Sequence, residues 1–104
     1  MHQFDVLANP FPRSRERKPF LVALQSDLLT RTLDTLVVAP LEPAASGTFA
    51  DRLNPRVEID GIAYVLITQE IVTVRKSVLG KTHASIASER DNIIGALDML
   101  FTGF

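Results

Sequence analysis

Only one stretch of this chain repeats its apolar residues at helical spacing, and that scarcity decides the fold class. Between Ser88 and Phe104, Ile93, Leu97 and Leu100 recur at three and four, as do Ile94, Leu97 and Phe101. Such spacing lines one face of a helix. Glu89, Arg90, Asp91 and Asp98 supply much of the rest. Ser88 is expected to cap the first turn, with Asp91 three residues on approximating a capping box. Acidic residues there also suit the positive end of the helix dipole. Gly103 is expected to stop the helix, leaving Phe101 and Phe104 as large rings at the last residues. Chain ends are usually frayed and polar. An apolar end either tucks into the fold or presents an aromatic surface to a partner.

Everything before that helix reads as strand and turn. Phe4, Val6 and Ala8 alternate with Gln3, Asp5 and Leu7, a short strand of period two that Asn9-Pro10-Phe11-Pro12 ends. A basic loop follows, Arg13, Arg15, Arg17 and Lys18, read first as a solvated turn. Phe20 to Leu24 is a continuous apolar run, as a strand buried on both faces would have. Gln25-Ser26-Asp27 then gathers three polar residues before Leu28-Leu29. Leu36 to Ala39 is a third strand, closed by Pro40, and 41–53 reads as a loop or irregular excursion.

Val57 and Ile59 alternate into Asp60-Gly61, and Ile62, Tyr64 and Leu66 continue beyond it. Asp-Gly between alternating segments specifies a tight hairpin, because both residues tolerate positive φ. A further strand runs through Ile71, Val72 and Val74, and Gly80 marks a turn on the way to the helix. Gly95 in mid-helix costs about 1 kcal/mol relative to alanine, which suggests that another backbone approaches there. The sum is a small, mainly antiparallel β fold with one C-terminal helix.

Composition narrows the functional classes. At 104 residues the chain suits one domain, 1–104, with a modest core. A net charge of −1 argues against a bulk electrostatic grip on nucleic acid, though not against a local basic patch. With no cysteine there is no disulfide framework, thiol chemistry or cysteine zinc site. No signal segment or bilayer-length apolar run is visible, so no membrane association is expected and the expected compartment is cytoplasmic. The two histidines, His2 and His83, have no local partners at metal spacing, and the five glycines are isolated, without a phosphate loop. No nucleophile elbow is present. No catalytic residue, metal ligand or cofactor is therefore assigned.

Several segments, in this order and spacing, resemble the CcdB-type toxins of toxin–antitoxin systems. They are Leu24-Gln-Ser-Asp27 with Leu28-Leu29, Val37-Val-Ala-Pro-Leu41, Leu53-Asn-Pro55, Ser77-Val-Leu-Gly80, and Arg90-Asp-Asn-Ile93 leading to Leu100-Phe-Thr-Gly-Phe104. The resemblance implies an SH3-like antiparallel β-barrel with a C-terminal helix, homodimeric. It implies a gyrase inhibitor, not an enzyme: a wedge that binds the A subunit of DNA gyrase and traps the complex with cleaved DNA. The gyrase-binding residues carried over are Leu28, Leu29, Asp98, Phe101, Thr102, Gly103 and Phe104. A CcdA-like antitoxin, largely disordered when free, would wrap the toxin and order on binding. Operator DNA would be met only through that antitoxin complex.

Two positions depart from the family pattern. Thr102 stands where the pattern has a tryptophan, and Asp98 where it commonly has an asparagine. A tryptophan there would stack on an arginine, worth roughly 0.5–2 kcal/mol, which threonine cannot reproduce. Lys18-Pro-Phe-Leu-Val22 and Val37-Val-Ala-Pro-Leu41 also resemble the MazF-type messenger-RNA interferases. In those, a hydroxyl residue follows the Pro-Leu step, whereas Glu42 stands here. A ribonuclease, and an inactive relative that binds only an antitoxin, are the two alternatives.

Overall fold

The structure is a computed structural model and describes residues 1–103. It is mostly β, with seven antiparallel strands in one curled half-barrel sheet. The strands are β1 (Asp5–Ala8), β2 (Phe20–Ala23), β3 (Thr35–Pro43), β4 (Arg56–Ile59), β5 (Ile62–Leu66), β6 (Val72–Arg75) and β7 (Thr82–Ser85). The sheet runs β4-β5-β3-β2-β1-β7, with β6 paired to β3. A one-turn helix, α1 (Asp27–Thr30), follows β2, and α2 (Arg90–Thr102) closes the chain.

Why the second strand is apolar throughout is now visible. Val22 and Leu24 enter one buried cluster, with Phe4, Leu41, Leu66 and Ile93, while Leu21 and Ala23 enter a second, with Leu7, Leu36 and Val74. The same division corrects the first strand. Val6 and Leu7 are both fully buried, one in each cluster, and Ala8 is the exposed residue. A strand covered on both faces has no period of two to show.

Pro40 does not end the third strand, which runs on to Pro43. On one side β3 pairs with β2 through Val38–Leu41. On the other it pairs with β6 through Thr35–Val38 and with β5 through Leu41–Pro43. The Pro40 carbonyl accepts from the Ile67 N–H at 2.9 Å. An extended residue points its N and C=O to the same side, so the missing N–H falls where β6 gives way to β5. The ladder loses nothing there.

The β4–β5 hairpin is as expected: Ile59 faces Ile62, and the turn residues Asp60 and Gly61 have φ of 53° and 79°. Its tip reaches the opposite edge of the sheet. His83 on β7 pairs with Asp60 across 2.7 Å, and its ring lies 4.8 Å from that of Phe20. That histidine therefore bridges the two edges of the half-barrel at the surface. Strand β7 itself lies in the segment before the helix where only a turn at Gly80 was expected. The chain turns at Lys76–Val78, and Gly80 leads into β7.

The helix start also differs. A 3-10 turn over Ala87–Glu89 precedes α2, Glu89 occupies the cap position, and no side chain caps the first turn. The Glu89 carboxylate instead accepts from the Asn92 amide at 2.9 Å. Ile93 and Ala96 are fully buried, with Ile94 and Leu97 packed against the same core cluster. Gly103 ends the helix in the left-handed region, its N–H bonded to the Met99 carbonyl at 3.1 Å.

Candidate partner-binding surface

Leu28 and Leu29 owe their position to the polar triplet before them. Gln25 is buried and spans the turn: its amide nitrogen donates to the Thr30 hydroxyl and the Thr35 carbonyl, and its oxygen accepts from the Val37 N–H. Ser26 caps α1 by accepting from the Leu29 N–H. Asp27 accepts from the Gln3 N–H at 2.7 Å, with the His2 ring 3.6 Å away. The Gln3 hydrogen bond, aided by His2 and Arg31, holds the Asp27 carboxyl below its usual range. Gln25 and Thr30 are buried, Ser26 and Asp27 are exposed but hydrogen-bonded, and both leucines of α1 are left at the surface. Leu28 is 70% exposed and Leu29 49%.

The end of α2 has the same character. Phe101 is 69% exposed, and Asp98, Thr102 and Gly103 are exposed beside it. The Thr102 hydroxyl donates to the Asp98 carbonyl at 2.7 Å, so its one donor is used within the helix. Phe104 lies outside the described residues. The other six residues expected to face gyrase are thus at the surface, on two elements. Asp98, Thr102 and Gly103 are drawn together on one helix end. Among the described residues no hydrogen bond or ion pair joins α1 to α2.

Residue-level reading missed the wall beside the helix. A mostly apolar groove runs between loop residues Ala50–Leu53 and Met99 and Leu100 of α2. A second, more polar cleft continues along Asp91, Asn92 and Gly95 against Pro55 and Arg56. Buried Asn54 fixes this loop. Its side chain accepts from the Ala50 N–H, and donates to the Leu66 carbonyl at 3.0 Å and to the Gln69 side chain at 2.8 Å. The Leu53-Asn-Pro55 segment was the available signal. Around Gly95 an added Cβ would meet nothing within 4 Å, so among the described residues no backbone from outside its own helix approaches it.

Among the described residues no group of three or more His, Asp or Glu is placed to hold a metal ion. No helix there is long and apolar enough to cross a membrane. The architecture is that of a small curled β domain that carries exposed apolar anchors on its helices. Within that class the chain belongs to the CcdB family, whose model, described as CcdB protein, matches residues 3–103. No curated protein sequence matches it. Among solved structures it is similar to one described as the crystal structure of an Mtb toxin. The TM-score is 0.67 at 18% identity, covering 81% of this chain and 92% of the other. At that identity the likeness concerns the fold.

Proposed function

We propose that this protein is the toxin of a toxin–antitoxin pair, a single domain acting in the cytoplasm as a homodimer. It binds the A subunit of DNA gyrase and traps the enzyme with its DNA cleaved, without being an enzyme itself. A CcdA-like antitoxin neutralises it, and operator DNA is met through that complex. Membership of the CcdB family over residues 3–103 carries the reading. Exposed Phe101 supports it, because aromatic side chains that become buried on binding are where interfaces tend to concentrate their energy, and exposed Leu28 and Leu29 add apolar contact area.

Purified protein added to gyrase and supercoiled plasmid should accumulate cleaved DNA after protein denaturation. Deleting 102–104 should remove that activity while leaving the circular dichroism spectrum unchanged, since Thr102 and Gly103 are exposed. Failure to bind gyrase, with cleavage of single-stranded RNA instead, would replace this reading with the ribonuclease.

A further inference from the structure

The loop between β1 and β2 has no part in that reading. From Phe11 to Lys18 it carries Arg13, Arg15, Arg17 and Lys18 against Glu16 alone, a formal charge of 4 − 1 = +3. The total is −1, so the remaining residues sum to −1 − 3 = −4. The one strongly basic feature of an acidic protein is therefore a single loop. It is also a built loop. Asn9 is buried, its amide nitrogen donating to the Ser14 hydroxyl at 2.9 Å and the Lys18 carbonyl at 2.8 Å. Its oxygen accepts from the Phe11 N–H at 2.9 Å. The Arg15 and Lys18 N–H groups bond back to the Phe11 and Ser14 carbonyls.

Lys18 is engaged by the fold, paired with Glu70. Arg13, Arg15 and Arg17 are exposed, and among the described residues none of them makes an ion pair. Phe11 and Lys18 of the same loop line a shallow dimple together with Leu21, Pro40, Val72 and Glu70, the carboxylate already taken by Lys18. Phe11 is 39% exposed and Val72 50%.

Three exposed arginines on a braced loop that also carries a half-exposed phenyl ring match one ligand chemistry closely. Phosphates neutralise the arginines, and an unpaired base supplies a π-face for the ring. A duplex keeps its base faces stacked and an acidic peptide has none. We infer that the Phe11–Lys18 loop binds single-stranded nucleic acid, with phosphates on Arg13, Arg15 and Arg17 and a base against Phe11. This inference does not depend on gyrase, and its test contains none.

Anisotropy of a labelled oligodeoxythymidine strand, titrated with the full chain at several salt concentrations, decides it. Three phosphate contacts predict a log–log salt slope of about −2. The triple variant Arg13→Gln, Arg15→Gln, Arg17→Gln should flatten that slope. Phe11→Ala should weaken binding about tenfold at unchanged slope, and Phe11→Tyr should restore it. All four side chains are exposed, so circular dichroism should be unaltered. No binding at low salt, or binding indifferent to the triple variant, overturns the inference. Equal affinity for blunt duplex overturns the base contact, and preference for polyglutamate assigns the loop to an acidic protein instead.

Discussion

Thr102 is the position at which the resemblance implies a missing aromatic anchor. Its hydroxyl is spent on the Asp98 carbonyl, so toward a partner it offers little beyond a methyl group. Phe101 supplies the apolar area that remains on this helix end. A missing aromatic anchor of about 2 kcal/mol lowers affinity roughly thirtyfold but does not abolish it. Thr102→Trp is therefore expected to tighten gyrase binding by about that factor, read by calorimetry or by the concentration that traps cleaved DNA. An unchanged affinity would mean that the helix end is not the contact. Asn54 acts from behind the surface. Replacing it by alanine strands the Leu66 carbonyl and frees the loop, an expected loss of about 1–3 kcal/mol in a denaturant titration. Asp27 adds a pH dependence with a definite sign. Its folded pKa is depressed, so its contribution is present above the unfolded value and is lost as pH falls through the folded one. Asp27→Asn should flatten the acid limb of the stability curve below about pH 4.

At the scale of elements, the β4–β5 hairpin tests how far local chemistry rules. Gly61 sits at φ 79° with open space where a Cβ would go, so Gly61→Ala incurs backbone strain and no clash. A loss of about 1 kcal/mol is expected in thermal unfolding. A neutral result would mean that the tip is held by Asp60 and His83 and not by its own turn. This hairpin was legible because two adjacent residues determine it, and so were the doubly buried second strand and the existence and stop of α2. Strand β7 was not legible. Thr82-His-Ala-Ser85 is an exposed edge strand with almost no apolar pattern, and only its pairing with β1 defines it. The Ser88 cap failed because the 3-10 turn moves the first α-helical residue on to Arg90. Phe4 carries the least predictable local feature, a buried ring on a backbone with φ 68°. Its N–H and C=O are claimed by Ala23 and Ile86, two distant segments that impose the conformation. The surface followed the same rule. Leu28 and Leu29 were named through the resemblance and Phe101 also from its place in the apolar tail, and all three are exposed, whereas the groove joining Leu53 to Leu100 exists only after folding.

At the scale of the molecule, several large apolar side chains stay exposed, among them Leu28, Leu29, Ile62, Val72 and Phe101. A chain of 11.5 kDa with this surface is expected to bury part of it against a second copy, by one self-complementary patch from each. Gly95 locates the test. A glycine inside a helix costs about 1 kcal/mol relative to alanine, and among the described residues no contact beyond its own helix requires it, since a Cβ built there meets nothing within 4 Å. If the neighbour that needs this space is the other protomer, two substitutions should diverge by assay. Gly95→Leu starts from a Cβ with open space, extends into the cleft beside Pro55 and Arg56, and favours the helix, so unfolding of the dilute protein should be unchanged or shifted upward. The same side chain would hold two helices apart. Sedimentation at micromolar concentration should then show the parent at twice 11.5 kDa and the Gly95→Leu protein at or near 11.5 kDa. Gly95→Ala should fall between, with a dimer dissociation constant raised less than by leucine. A parent that sediments as a monomer overturns the dimer. A Gly95→Leu protein that remains dimeric with full affinity keeps the dimer and moves its interface away from this face of α2, toward the exposed strand residues Ile62 and Val72.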